Sequence, residues 1–175
     1  MILLSNHLLT LDEFKNIENI VVRINMAHVR DKKQLKEFIN IDYDIFLDYP
    51  KGRTKPPVPT LHIPDALEMM NKYKNIKYFA VSNIETPSEV KMIASCLSDT
   101  VRFVPKIETL DGVINLKSIF QTGCIKYIML DSEDLYTNVK NDMELYLQLI
   151  DRVKKTCKEF NIELLELYGV IFNGK

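Results

Sequence analysis

Short apolar runs alternate along this chain with longer stretches in which apolar residues recur at every third or fourth position. Each run has six or seven residues, is rich in Val, Ile, Tyr and Phe, and lies between polar or turn-forming residues; the runs are 20–26, 43–48, 76–81, 101–107, 125–130 and 162–168. Runs of this length and composition are typical of buried strands. Residues 1–5 form a further candidate strand.

The stretches between the runs have the spacing of amphipathic helices. We predict helices over 11–17, 31–39, 65–73, 88–97, 111–120 and 142–160. The first follows Thr10, with Glu13 three residues later, which is the pattern of a capping box. The longest has Leu145, Leu149 and Val153 at helical spacing.

This alternation predicts parallel strands joined by right-handed helical crossovers. Two α/β architectures fit, a (β/α) barrel and an open doubly wound sheet. We expect a shortened TIM-like (β/α) barrel of about seven parallel strands, because a full eight-stranded barrel usually needs ~200 residues or more. The Pro-rich stretch 54–60 reads as one loop, so the prediction is a single domain over 1–175.

Composition and charge restrict the kind of protein. Of the 175 residues, 46% are hydrophobic and 27% are charged, which suits one soluble domain with a sizeable core. A net charge of -1 gives no basic bias, so nucleic acid is not an expected partner. No apolar run is long enough to span a bilayer and the start lacks a secretion signal, so we expect no membrane partner and a cytoplasmic location.

Two other classes of site are disfavoured. The three cysteines are far apart in sequence, which argues against a disulfide framework or a cysteine zinc site. The chain has no glycine-rich phosphate loop of the dinucleotide or Walker type. An incomplete barrel would leave an exposed strand edge, which proteins usually cover, so we expect a homo-oligomer.

Polar side chains follow the predicted strands at the end where parallel α/β folds bind ligands. They include Asn25, Asp48, Ser82, Glu108 and Asp134. The densest pattern is Pro-Lys-Ile-Glu-Thr-Leu-Asp-Gly-Val at 105–113, followed by Leu-Asp-Ser-Glu-Asp-Leu at 130–135.

Lys106 and Glu108 are two residues apart at the end of one strand, so their side chains point the same way. Asp134 follows the next strand and could meet them. Two carboxylates on adjacent strands suit Mg²⁺, and a nearby lysine can stabilise an enolate oxygen or hold a phosphate. The alternative interpretation is a solvated barrel rim. Asp131 and Glu133 read as surface charges, although either could add a ligand.

Five segments, in order, resemble the catalytic barrel of pyruvate kinase. They are Arg-Ile-Asn-Met-Ala-His at 23–28, Leu-Asp-Tyr-Pro-Lys-Gly-Arg-Thr at 47–54, the Val-Ser start of 81–90, Lys-Ile-Glu-x-x-x-Gly-Val at 106–113 and Ile-Met-Leu-x-x-x-Asp-Leu at 128–135. The Glu-Thr-x-x-Gly-Val pattern at 108–113 and Glu-Asp-Leu at 133–135 are also similar to citrate lyase β-subunits and related aldolases of the phosphoenolpyruvate/pyruvate barrel superfamily.

The resemblance implies a role for each matching residue. Glu108 and Asp134 would ligate Mg²⁺ or Mn²⁺, Lys106 would stabilise an enolate or phosphate oxygen, and Arg23 would bind a phosphate or carboxylate. Substrate-binding positions would be Arg53, Asn25, Asp48 and Ser82, of which Asn25 and Asp48 correspond to monovalent-cation ligands. The implied substrate is pyruvate, phosphoenolpyruvate or a related 2-oxo acid.

The chain departs from the pyruvate kinase pattern at several places. Ala27 and Tyr49 replace a Ser and a Thr, which removes half of the monovalent-cation site, and Ser132 and Glu133 stand in place of Arg and Gly. A loop replaces the domain that covers the nucleotide. We therefore expect enolate chemistry of a lyase, aldolase or enol-transfer kind, and no working pyruvate kinase. The alternative is a non-catalytic, pyruvate-kinase-like binding or assembly module.

Overall fold

A computed structural model describes residues 2–6 and 18–166. Within them, seven parallel strands form one sheet whose spatial order follows the chain, curled into an open half-barrel. The strands are β1 (Ile2–Ser5), β2 (Ile20–Asn25), β3 (Asp44–Tyr49), β4 (Ile76–Val81), β5 (Arg102–Ile107), β6 (Tyr127–Leu130) and β7 (Glu163–Glu166). The predicted α/β fold with seven parallel strands is confirmed.

Seven α-helices connect the strands within the same residues. They are α1 (Lys32–Ile39), α2 (Ile63–Lys72), α3 (Pro87–Ser95), α4 (Leu110–Ile114), α5 (Leu116–Phe120), α6 (Ser132–Asn138) and α7 (Met143–Phe160). Their apolar faces pack against the outer face of the sheet, as Leu35, Met69 and Val153 do. None of the helices in 2–6 and 18–166 is both long and apolar enough to cross a membrane.

Some predicted elements differ from the structure. The helix predicted over 11–17, and the end of the strand predicted over 162–168, lie outside the described residues. The helix predicted over 111–120 is two helices that meet at Asn115, whose side-chain amide donates a hydrogen bond to the Glu85 carbonyl oxygen. Helix α6 was not predicted, and Asn25 caps an additional 3₁₀ turn at Met26–His28.

Alternate residues of each strand face opposite sides of the sheet, as expected for the two-residue period of strands. One set joins the large core under the helices, for example Val22, Leu47 and Ile128. The other set forms a smaller cluster on the inner face, with these members: Val21, Phe46, Ala80, Val104 and Met129. Each of these five residues is buried.

The inner face turns polar one step further toward the carboxyl ends of the strands. Two residues beyond each member of the inner apolar cluster stand, in order, Arg23, Asp48, Ser82, Lys106 and Asp131. We call these five residues the polar layer. The apolar cluster closes the interior below it, so the polar layer forms the floor of the cleft at that end of the half-barrel.

Candidate active site

Lys106 lies at the centre of the polar layer and is almost fully buried. Its Nζ atom is 2.8 Å from Glu108 Oε1, 3.2 Å from Ser82 Oγ and 3.5 Å from Asp48 Oδ1. Burial favours the neutral amine, but the Asp48 and Glu108 carboxylates outweigh it and raise the pKa of Lys106. The side chain is therefore a fixed ammonium inside the protein.

Asp48 links that ammonium to Arg23. The Arg23 Nε atom donates to Asp48 Oδ2 at 2.9 Å, and its Nη2 atom contacts the same oxygen. Asp48 is 1% exposed, and its Oδ1 atom has no hydrogen-bond partner within the part of the chain that the structure describes. This carboxylate holds two cations in place from beneath the cleft.

Glu108 is held by the chain that leaves β4. The backbone N–H of Asn83 donates to Oε2 at 2.9 Å, and the Ser82 hydroxyl lies 3.4 Å from Oε1. Burial raises the pKa of Glu108; Lys106 acts in the opposite direction, and the negative charge of Asp131 adds to the rise. Positive charge placed near Glu108 therefore stabilises its ionised form.

Three carboxylates converge at the carboxyl ends of β5 and β6. Glu108, Asp131 and Asp134 each place one oxygen within 4.8 Å of the others. Asp131 also caps α6, because its Oδ1 atom accepts from the backbone N–H of Asp134 at 3.3 Å. Because the cap fixes the start of the helix, Asp134 lies one turn in, on the side of the other two acids.

These three acids suit a divalent cation. Hard cations such as Mg²⁺ take carboxylate oxygens, which these three residues would supply. The charges also fit. Around Lys106, the four carboxylates at 48, 108, 131 and 134 outnumber the two cations at 23 and 106, which favours positive charge at this end of the cleft, while Lys51, Arg53 and Lys55 line the cleft from the loop after β3.

The structure gathers the residues that the sequence singled out. A cleft of about 290 Å³ is lined by seven of them: Arg23, Asn25, Arg53, Ser82, Lys106, Glu108 and Asp134. Asp48, the eighth, lies beneath and contacts Arg23 and Lys106. The Asn25 side-chain oxygen accepts from the Ala27 N–H at 3.0 Å.

Asp131 belongs to the group of three carboxylates, whereas the sequence favours a surface charge at this position and leaves a ligand role open. It continues the inward alternation of Tyr127 and Met129, and that spacing was visible in the sequence. Asp131 faces inward because the alternation continues one residue past the end of β6.

The loop after β3 supplies the opposite wall of the cleft. Residues 50–55 line it, including Lys51, Arg53 and Lys55. The Lys51 ammonium pairs with Glu89 on α3, and the Asn83 side-chain amide donates to the Lys51 carbonyl oxygen at 2.7 Å. Arg53 donates to the carbonyl oxygen of Pro57 at 2.8 Å. The loop is thereby attached to both β4 and α3.

Comparisons with known proteins identify relatives of the fold. No protein-family model matches the chain, and no curated protein matches it. Among solved structures, an HpcH/HpaI aldolase/citrate lyase family protein from Burkholderia cenocepacia has a TM-score of 0.62 at 13% identity, over 83% of this chain and 70% of that one. RipC from Yersinia pestis has a TM-score of 0.62 at 13% identity, over 87% and 72%.

Citrate synthase SbnG has a TM-score of 0.65 at 12% identity, over 86% of this chain and 69% of that one. At these identities the likeness shows the fold alone. The chain therefore shares the fold of these solved structures, among them an aldolase/citrate lyase family protein, and its chemistry must be argued from its own residues.

Proposed function

We propose that this protein is a divalent-metal-dependent enzyme that acts on pyruvate, phosphoenolpyruvate or a related 2-oxo acid through an enolate. The observation that carries the proposal is the convergence of Glu108, Asp131 and Asp134 beside the buried ammonium of Lys106. The metal would be Mg²⁺ or Mn²⁺, held by these three carboxylates. The fold shared with aldolase/citrate lyase-type enzymes supports the same class of chemistry.

Each group in the cleft would have a separate role in the reaction. A divalent ion held by Glu108, Asp131 and Asp134 would supply Lewis acidity to a 2-oxo acid. The Lys106 ammonium, fixed by Asp48 and Glu108, donates a hydrogen bond to the oxygen on which enolate charge develops, and such preorganised donors lower the barrier. Arg23, held by Asp48, offers its remaining N–H groups to a carboxylate or phosphate.

We propose carbon–carbon cleavage or addition, or enol transfer, in preference to phosphoryl transfer to a nucleotide. Ser132 and Glu133 form the first turn of α6, where the pyruvate kinase pattern has Arg and Gly. Glu133 adds a negative charge beside the carboxylate cluster, and this charge opposes the approach of a nucleoside triphosphate. Nothing in the loop at 50–60 matches a nucleotide-covering domain.

The metal site is tested by Mn²⁺ titration of wild type and Glu108→Gln. We expect the substitution to weaken Mn²⁺ binding at least about tenfold, because it removes a buried negative ligand. Glu37→Gln is the matched control, since it removes the same charge from an exposed position on α1 that does not line the cleft. Equal Mn²⁺ affinity in wild type and Glu108→Gln would remove the proposed metal site.

Enolate formation is tested by exchange of the pyruvate methyl protons with deuterium, followed by NMR with Mg²⁺ present. We expect exchange in wild type and a loss of about 100-fold or more in Lys106→Ala. Exchange that is equal in the two proteins would remove Lys106 from the mechanism. Absence of exchange under every condition would favour the non-catalytic module.

A further inference from the structure

Asn83 follows β4 at the edge of the cleft and has an uncommon backbone conformation. Its φ is +53°, in the left-handed region that residues other than glycine rarely adopt and that asparagine tolerates better than most. Five described residues other than glycine take such a φ, and of these Asn83 alone lines the cleft. A conformation of this kind persists where the surrounding contacts require it.

Two hydrogen bonds hold Asn83 from opposite sides. Its backbone N–H donates to Glu108 Oε2 at 2.9 Å, and its side-chain Nδ2 donates to the Lys51 carbonyl oxygen at 2.7 Å. Lys51 belongs to residues 50–55, which we call the basic loop because they also include Arg53 and Lys55. Asn83 therefore joins a candidate metal ligand at the end of β5 to the loop that follows β3.

The basic loop is a rigid partner for the Asn83 amide. A Cβ atom at Gly52 would lie 3.4 Å from Asn83 Nδ2, so the loop backbone packs closely against the amide. The Lys51 ammonium pairs with Glu89 on α3, which fixes the loop at a second point. The bond from Nδ2 therefore holds Asn83 against a part of the protein that is itself attached.

The residues on either side of Asn83 are bonded to the neighbouring strands. The backbone N–H of Ser82 donates to the Tyr49 carbonyl oxygen at 3.0 Å, and that of Ile84 donates to the Lys106 carbonyl oxygen at 3.2 Å. These two bonds attach the chain first to β3 and then to β5. The N–H between them, that of Asn83, is the one that bonds to the Glu108 side chain.

The Asn83 N–H acts on Glu108 from the side opposite to Lys106. Lys106 Nζ is 2.8 Å from Oε1, whereas Asn83 donates to Oε2, so the two donors together fix the plane of the carboxylate. Without the Asn83 bond, Lys106 and the Ser82 hydroxyl would remain, and both contact Oε1. The carboxylate would then be free to turn toward Lys106, a cation that competes with a metal ion for it. Groups that orient a metal ligand contribute about 10–100-fold to metal affinity.

We infer that Asn83 is a positioning residue for the metal centre. Its left-handed backbone, held by the side-chain bond to the basic loop, keeps its N–H on Glu108 and so turns this carboxylate toward the metal ion. The inference rests on the proposed function, because Asn83 acts through Glu108 as a metal ligand.

Two substitutions test this role by Mn²⁺ titration. Asn83→Ala removes the Nδ2 donor and disfavours the left-handed backbone, so we expect Mn²⁺ binding to weaken about tenfold or more. Asn83→Gly removes the same donor but permits a positive φ, so we expect a smaller loss of about threefold. Wild-type affinity in both variants would overturn the inference. Wild-type affinity in Asn83→Gly alone would overturn the role of the side-chain bond.

Asn161 provides the matched control. It ends α7 with φ +54°, is exposed and does not line the cleft. Asn161→Ala and Asn161→Gly therefore make the same changes in a left-handed asparagine away from the site, and both should bind Mn²⁺ as wild type does. Urea unfolding checks that all four variants are folded. Equal losses of Mn²⁺ affinity at the two positions would assign the effect to general destabilisation and overturn the inference.

The electron paramagnetic resonance spectrum of bound Mn²⁺ separates positioning from stability, because it depends on the arrangement of the ligands around the ion. At saturating Mn²⁺, we expect the spectrum of Asn83→Ala to differ from that of wild type and the spectrum of Asn161→Ala to match it. A wild-type spectrum in Asn83→Ala would show that Glu108 keeps its place without Asn83, and the inference would be wrong.

Glu108→Gln, titrated in parallel, separates this inference from the proposed function. If Glu108→Gln binds Mn²⁺ more weakly than wild type and the Asn83 variants do not, the inference fails and the proposed metal site stands. If Glu108→Gln binds Mn²⁺ as tightly as wild type, the proposed metal site fails, and a positioning role through Glu108 fails with it.

Discussion

The two faces of the curled sheet are built from the same strands but solve different problems. The outer face is apolar along its length and packs under the helices, with Leu47 and Ile107 fully buried. On the inner face, Phe46 and Val104 belong to the apolar cluster, whereas Asp48 and Lys106, two residues further on, belong to the polar layer. On the inner face, the residues that pack the interior and the residues that form the polar layer are therefore two positions apart on the same strand.

The cost of this separation is a set of buried charges. Buried ions are tolerated when they are paired, and removal of one partner leaves the other uncompensated. Arg23, Asp48, Lys106 and Glu108 alternate in sign and each contacts the next. The outer face needs no such pairing, because its members gain free energy simply by leaving water.

The comparison is sharpest at two adjacent residues that face opposite sides. Lys106→Met should lower the free energy of unfolding by about 3–5 kcal/mol, because two buried carboxylates lose their shared cation. Ile107→Ala should cost about 2–5 kcal/mol through a cavity in the outer core. Urea unfolding with and without Mn²⁺ distinguishes the causes.

A divalent ion should restore part of the stability of Lys106→Met, since binding to the folded state adds stability and the lost positive charge strengthens that binding. It should restore none of the loss in Ile107→Ala beyond the wild-type gain. If Lys106→Met is as stable as wild type, the ion pairs among Arg23, Asp48, Lys106 and Glu108 contribute nothing to the free energy of unfolding.

The edges of the sheet test whether the half-barrel is complete alone. Within the described residues, β1 pairs only with β2, and β7 pairs only with β6. We predict a homo-oligomer that covers these edges, with a mass by light scattering at least twice the 20.4 kDa of the chain. A mass of one chain at micromolar concentration would contradict this prediction.

Gly112 lies in α4, the helix that follows β5. A Cβ atom there would lie 2.8 Å from the Ile84 carbonyl oxygen, so Gly112→Ala must push the chain that follows Glu108 away from the end of β4. We expect a loss of about 1–2 kcal/mol in unfolding free energy and weaker Mn²⁺ binding.

Gly123→Ala is the comparison for this prediction. Gly123 has φ +69°, and no described atom lies within 4 Å of the position that a Cβ atom would take, so the substitution strains the backbone without a steric clash. It should lower stability by about 1 kcal/mol and leave Mn²⁺ affinity unchanged, because Gly123 does not line the cleft. If Gly112→Ala binds Mn²⁺ as tightly as wild type, the close approach of Gly112 to the Ile84 carbonyl oxygen does not influence the metal site.

The strands were predictable because each carries enough apolar residues to be recognised without its neighbours. The break at Asn115 was not, because it depends on the Glu85 carbonyl oxygen, which another loop supplies. The same distinction holds in the site. Lys106 and Glu108 share one strand, so their contact follows from local geometry, whereas the attachment of Lys51 to Glu89 joins two distant segments.

The smallest expected effect concerns Glu89, which fixes the basic loop from the outer side of the cleft. Its carboxylate caps α3 by accepting from the Thr86 N–H at 3.0 Å and also pairs with Lys51. Burial would raise the pKa of Glu89, but the hydrogen bonds from Lys51 and the Glu85 N–H outweigh it and lower the pKa.

A lowered pKa in the folded state means that the carboxylate stabilises the protein above its unfolded pKa, and that this contribution is lost as the pH falls through the folded value. Glu89→Gln should therefore cost about 1 kcal/mol near pH 7 and progressively less in acid below the ordinary glutamate range. Thr109→Ala removes the cap hydroxyl of α4, which within the described residues accepts only from the Gly112 N–H, so its cost should vary little with pH. Urea unfolding across this range measures both, and a Glu89→Gln cost that is independent of pH would assign the effect to helix capping instead of the bond to Lys51.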